Sequence, residues 1–410
     1  MPASLPPKEW DSGRKSAGED AVEEVHPACP IDKLSQSARG DEVKIPLVDL
    51  EAQNASIREP LESAAIRVIR SGSYGLGPEV EGFEDAFAHY CEAPYAVAVN
   101  SGTSALQLAL LACGVGPGDE VITVAFTFVA TVAAIRFTGA RPVLIDIEPR
   151  AWTIDASAVR AAVTPRTKAI VPVHLHGRPA DMTALTALAE KYDLWLVEDG
   201  SQAHGARHGG RRVGGIGDVG AFSFYPAKPL GALGEGGAIV TRDPEIAQRA
   251  RLLRNWGQTR KGEHDLAGFN MRMDALQAAM LRVKLDHVDS WSEARGRHAC
   301  RYAQGLADSI AYHPLAFAGC SDVHHVFAIE IANRDRVRAD LARAGIETGI
   351  HYPRPVHLEP AYANLGYSRG DFPVAERISE RTLSLPLFAE MSEGQVDEVC
   401  DVARAAMRKG

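Results

Sequence analysis

The chain has 410 residues, 46% hydrophobic and 24% charged, and a formal net charge of −9. Those proportions exclude collagen-like, low-complexity and disordered classes, and the acidic balance argues against a general nucleic-acid binder. No apolar run approaches the roughly 20 residues that a membrane-spanning helix needs.

Residues 1–44 lack periodic apolar spacing and a hydrophobic signal-type core, which predicts a disordered tail on a cytoplasmic protein. Amphipathic spacing predicts helices over 61–69 and 80–90, separated by a turn-forming stretch from Ser71 to Pro78. Then short apolar runs at 95–99, 121–126, 142–147, 169–175, 194–197 and 221–225 alternate with helical stretches at 105–113, 129–137, 156–163 and 182–192. Strands alternating with helices predict an α/β domain over 45–260, built on a mostly parallel mixed sheet with helices on both faces. After Thr241 the rhythm stops. A long helical region at 273–306, a strand at 327–331 and helices at 337–344 and 395–407 predict a smaller α+β domain over 261–410. The six cysteines (Cys29, Cys91, Cys113, Cys300, Cys320, Cys400) are widely spaced without a C-x-x-C pair, so they read as reduced thiols.

Three features of the α/β region carry chemistry. Asn100-Ser-Gly-Thr-Ser-Ala105 follows one strand and opens a helix, where exposed N–H groups and the helix dipole attract an anion. A plain Ser/Thr N-cap is the simpler alternative for that stretch. Asp199 ends a buried strand, where open α/β sheets place ligands and where a carboxylate needs a positive partner. Lys228 follows an apolar strand and precedes a glycine-rich stretch, and a lysine in a dry setting becomes a Schiff-base nucleophile. Pyridoxal phosphate requires a phosphate cup, such a lysine and an acid against its ring nitrogen. Phe128, after the 121–126 strand, is placed to cover the ring face.

In combining these features, the sequence resembles the DegT/StrS-type sugar aminotransferases, which have a fold-type-I pyridoxal phosphate architecture. The marks include SGTSALQLAL, GPGDEVITVAFTFVAT, VEDGSQAHGA, FSFYPAKPLGALGEGGAIVT, GFNMRMDALQAAML and GIETGIHYPRPVHLEPAY, and they run from about residue 48 to the C-terminus. The resemblance implies that Lys228 carries the cofactor, Asp199 pairs with its ring nitrogen, and Gln202 lies beside the ring hydroxyl. It places Phe128 on the ring face and Gly102, Thr103 and Ser223 around the phosphate. Asn270 would reach the phosphate in a neighbouring subunit, which implies a homodimer, while Tyr225, His351 and Tyr352 match positions that approach the sugar. The implied reaction moves an amino group from glutamate or glutamine to a nucleotide-linked keto sugar, C3 of a dTDP-3-keto-6-deoxyhexose first. C4 amination and a cyclitol or aminobenzoate-type acceptor are the alternatives. Departures from the family pattern are Gly200, Pro229 and Arg178.

Other motifs point away from chemistry. Gly215-Ile-Gly-Asp-Val-Gly220 matches a dinucleotide fingerprint but precedes a strand instead of a helix, so it reads as a turn. His174 with His176, and His324 with His325, lack carboxylate or cysteine company at metal spacing, so no metal is expected. Glu198 and Asp199 alternate on a strand and face opposite ways.

Overall fold

The computed structural model describes residues 43–309 and 313–408. The expected tail, except for Val43 and Lys44, and Cys29 lie outside the described residues.

Three helices open the chain: α1 (Leu50–Ser56), α2 (Arg58–Ser71) and α3 (Pro78–Tyr90). The alternating region follows as β1 (Tyr95–Val99), α4 (Gly102–Ala112), β2 (Glu120–Val124), α5 (Ala130–Phe137), β3 (Arg141–Ile145), α6 (Ala156–Ala162), β4 (Thr167–Ile170), α7 (Met182–Tyr192) and β5 (Trp195–Asp199). Two short strands, β6 (Arg207–His208) and β7 (Arg211–Arg212), precede β8 (Val219–Ser223), β9 (Gly237–Thr241) and α8 (Pro244–Arg254). The remainder is β10 (Gln258–Arg260), β11 (Glu263–His264), α9 (Ala275–Leu285), α10 (Val288–Gly305), β12 (Cys320–Ser321), β13 (Phe327–Glu330), α11 (Arg334–Arg343), α12 (Pro373–Arg381), β14 (Thr382–Leu385) and α13 (Glu393–Arg408).

The central sheet has strand order β1-β9-β8-β5-β4-β2-β3. Neighbours are parallel except around β9, which runs antiparallel to both β1 and β8. β1, β2 and β9 are largely apolar and buried on both faces, as strands covered by helices must be. α4 shows how local chemistry sets an element: Ser101 caps it by accepting the Ser104 N–H at 3.1 Å, and nearly every residue after the cap is buried against the sheet.

Several boundaries differ from those expected. The 169–175 strand stops at Ile170, because Pro172 has no N–H to give to a ladder; Val173 makes only an isolated bridge to Asp199. β9 was not singled out in sequence, since it is a short run behind two glycines and returns antiparallel from the loop after β8. The 273–306 helical region is two helices, interrupted at Asp286 and His287. The G-x-G-x-x-G stretch is a turn leading into β8, as its context required.

Beyond the sheet, β13 and β14 pair antiparallel and pack with α10, α11 and α13 around Tyr302, Phe327, Leu341, Leu383, Val399 and Ala403. Ile45 joins this cluster and bridges to Ile346, so the first described residues are tied to this C-terminal part. α9 instead packs with α2 and α3, and α12 packs against the cluster beneath β2–β5. Among the described residues no helix is long and apolar enough to cross a membrane.

Candidate active site

The C-terminal ends of β1, β2, β5 and β8 deliver their following residues to one cavity of about 570 Å³. It is lined by Ser101, Gly102 and Thr103 after β1, Thr127, Phe128 and Thr131 after β2, Asp199 and Gln202 after β5, and Ser223, Tyr225 and Lys228 after β8. Strand ends on this edge are where open α/β sheets bind ligands.

Gly102 and Thr103 open the first turn of α4, whose N–H groups an α-helix leaves without intrahelical partners. Ser223 closes the other side. A Cβ on Gly102 would lie 2.4 Å from Ser223 Cβ, so only glycine lets the helix terminus and β8 approach this closely.

Lys228 sits in a loop that is tied off at its base, where the Phe224 N–H reaches the Gly236 carbonyl and the Lys228 N–H reaches the Tyr225 carbonyl, both at 2.8 Å. Its side chain is half-buried. Removal from water pushes the ammonium pKa down to about 8, against the opposing pull of the Asp199 charge. A lysine so placed holds a useful fraction of nucleophilic amine near neutral pH.

Asp199 is 4% exposed and accepts two hydrogen bonds. The Thr131 hydroxyl donates to Oδ2 at 2.9 Å, and the Ser201 N–H donates to Oδ1 at 3.1 Å. Gln202 is held at both ends: its Oε1 accepts the His176 N–H at 2.7 Å and its Nε2 donates to the Tyr352 hydroxyl at 2.9 Å. The Tyr352 ring lies 5.7 Å from that of Phe128, which is 53% exposed to the cavity, and burial pushes the Tyr352 phenol pKa up.

The opposite wall comes from distant parts of the chain: Leu47, Val48, His325, Val326, His351, Leu385 and Leu387. His351 Nδ1 is 2.9 Å from the Ser384 hydroxyl, and burial, with the charge of Lys228, pushes its pKa down to about 4. It is therefore a neutral hydrogen-bonding group at ordinary pH.

The structure thus brings ten of the eleven expected site residues to one cavity. Asn270 is elsewhere, exposed on a polar cavity with Tyr74, Asn100, Arg272 and Asp274. Sequence reasoning missed Thr127, Thr131, Leu47 and His325. His325 belongs to the histidine pair set aside as a metal candidate, and its place just before β13 was the available signal.

Three sequence expectations, at His174, Gly200 and Arg178, meet a structural answer. His174 does have carboxylate company: its Nε2 is 3.0 Å from Glu198 Oε2, with both side chains fully buried. The residues are 24 apart in sequence, and parallel pairing beside β5 brings them together. Gly200, a departure from the family pattern, is required here because a Cβ would lie 2.7 Å from the Phe222 ring. Arg178, another departure, forms a buried pair with Asp322 at 2.9 Å.

Comparison with known proteins gives the family. The sequence pattern of the DegT/DnrJ/EryC1/StrS aminotransferase family matches residues 55–404. The dTDP-3-amino-3,4,6-trideoxy-alpha-D-glucose transaminase of Streptomyces venezuelae is 47% identical over 369 residues, covering 90% of this chain and 97% of that protein. The erythromycin biosynthesis sensory transduction protein EryC1 of Saccharopolyspora erythraea is 48% identical over 366 residues, covering 88% and 99%. The crystal structure of S. venezuelae DesV in complex with a ketimine intermediate superposes with a TM-score of 0.87 at 47% identity, covering 88% of this chain and 98% of that one. The chain belongs to the DegT/DnrJ/EryC1/StrS family of pyridoxal-phosphate-dependent sugar aminotransferases, and it is an aminotransferase.

Proposed function

We propose that the cavity holds pyridoxal 5′-phosphate and that the protein aminates C3 of a dTDP-linked 3-keto-6-deoxyhexose, with glutamate or glutamine as donor. The observation that carries this reading is the convergence of Lys228, Asp199 and the α4 N-terminus on one cavity. The donor set suits the cofactor: a helix terminus with Gly102, Thr103 and Ser223 for a dianion, the buried Asp199 carboxylate for a cationic ring nitrogen, and one poorly basic lysine.

When bound, pyridoxal phosphate supplies an aldehyde that exchanges amines and a cationic ring that draws electrons from a substrate carbon. The protein's residues do the rest. Asp199 would face the ring nitrogen and hydrogen-bond to its proton. Phe128 covers one ring face, and Gln202, braced by His176 and Tyr352, fixes the edge beside it. Lys228 would carry the proton, its Nζ taking one from the donor's α-carbon and giving one back. On the acceptor sugar it performs the reverse transfers. Tyr225, His351 and Tyr352 present hydrogen-bonding groups to the sugar.

The S. venezuelae relative's name supports the dTDP sugar and the carbon-3 amine. Asn270 faces a cavity without a lysine, which fits a role across a homodimer interface in a cytoplasmic enzyme.

The test is an amine-transfer assay with pyridoxal phosphate and glutamate against 3-keto and 4-keto dTDP-6-deoxyhexoses, following amino-sugar product by mass spectrometry. Product from the 3-keto sugar alone supports the reading, and product from the 4-keto sugar alone overturns the assignment of the carbon. The EryC1 relative carries a sensory name, so Lys228→Ala supplies a second arm. Loss of turnover with retained fold is expected, and a variant as active as the parent sinks the catalytic reading.

A further inference from the structure

Asp199 is held in an unusual way for a buried carboxylate. Among the described residues its side chain accepts no hydrogen bond from Arg, Lys or His; its donors are the Thr131 hydroxyl and the Ser201 N–H. Thr131 and Thr127 are 2% and 3% exposed, and their hydroxyls are 3.0 Å apart. A threonine carries one hydroxyl proton. Because an ionised Asp199 can only accept, the Thr131 proton points at Oδ2, and the proton in the Thr127–Thr131 contact must come from Thr127. Two O–H dipoles therefore align head to tail and end on the carboxylate.

Thr131 lies in the first turn of α5, where a hydroxyl would ordinarily serve its own backbone. Here it reaches across 68 positions to β5 instead. A cationic partner would also hold Asp199, but it would cancel the charge. Neutral donors stabilise and orient the carboxylate while leaving its full negative charge for a cation in the cavity.

We propose that Thr131, backed by Thr127, is a positioning residue that orients the Asp199 carboxylate toward the ring nitrogen of the bound cofactor. This rests on the assignment of pyridoxal phosphate to the cavity. Without the hydroxyl, Asp199 would lose one of its two donors and be freer to rotate away from the ring nitrogen.

The test compares the parent with Thr131→Val, which keeps the shape and removes the hydroxyl, Thr131→Ser, which restores it, and Thr127→Val. Three quantities are read: apoprotein affinity for pyridoxal phosphate by equilibrium dialysis, the pH dependence of the bound cofactor's visible band, and kcat and KM for glutamate. For Thr131→Val the expected result is an affinity loss on the order of tenfold, as for a hydrogen bond to a charged group. The band's pH midpoint should shift, and kcat should fall at unchanged KM. Thr131→Ser should behave as the parent, and Thr127→Val should fall between them.

The proposal is overturned if Thr131→Val matches the parent in affinity and band, or if Thr131→Ser is as impaired as the valine variant, which would mean a packing role. A parent protein that binds no pyridoxal phosphate would instead overturn the cofactor assignment beneath it.

Discussion

Glu198 and Asp199 are neighbours on β5, both buried and both acidic, yet they face opposite sides of the strand and differ in how completely they are satisfied. Glu198 accepts N–H bonds from Gly214, Ile216 and Gly217 at 2.7–2.8 Å and a fourth bond from His174. The Ala180 N–H donates to His174 Nδ1 at 3.0 Å, so the ring proton sits on Nε2 and points at Glu198. Burial alone would raise the Glu198 pKa, but these donors hold it below the ordinary carboxylate value. Its bonding capacity is spent on the turn before β8. Asp199 accepts only two donors and opens on a cavity beside a lysine. A buried carboxylate whose acceptor sites are filled by its own chain maintains the fold; one with sites left open toward a cavity is available to a ligand.

This contrast breaks most sharply under paired substitution. Asp199→Asn should leave the denaturation midpoint nearly unchanged and lower kcat by about 10²-fold or more, because the ring nitrogen loses its anionic partner. Glu198→Ala should do the converse. It strands three N–H groups and a buried imidazole, so a loss of about 3 kcal/mol in urea unfolding is expected. If Asn at 199 costs more stability than Ala at 198, the distinction between the two carboxylates fails.

A pH profile sharpens the cavity side. The Lys228 amine with a pKa of about 8, in place of the ordinary 10.5, is half neutral near pH 8. The rate at which apoprotein captures the aldehyde of pyridoxal phosphate should rise with pH and level off above about pH 9. A rate still climbing to about pH 10.5 would show that burial does not depress this lysine. Linkage runs the same way: the unfolded chain binds the Lys228 proton more tightly, so apoprotein stability should increase as pH rises from about 8 toward 10.5.

The smallest effect concerns the residue after the pair. Gly200→Ala would press a methyl group into the Phe222 ring, and about 1–2 kcal/mol of destabilisation is expected from thermal or urea unfolding. A neutral result would mean that Phe222 shifts freely and that glycine is not required here.

Much of the α/β region was legible because its signals are local. Apolar runs bounded by helix caps located β1, β2, β3, β5 and β8 within a few residues, and Ser101, Asp199 and Lys228 could be seen at their ends. Misplaced boundaries have local causes too, as at Pro172 and at the break between α9 and α10. The site's supporting contacts were not legible in that way. Thr131 to Asp199, Gln202 to Tyr352 and His351 to Ser384 join residues 68, 150 and 33 positions apart, and no periodicity encodes such a pairing.

By itself the sequence determined the strand and helix rhythm, the helix terminus that attracts an anion, and the lysine and carboxylate that share its edge of the sheet. Each depends on residues adjacent in the chain, where propensity, capping and hydrophobic period act directly. Only the tertiary structure decided that Glu198 is saturated while Asp199 is open, that a threonine relay braces the latter, and that Leu47 and His325 close the cavity. Those outcomes depend on which distant donors arrive beside each buried charge, and packing sets that arrival.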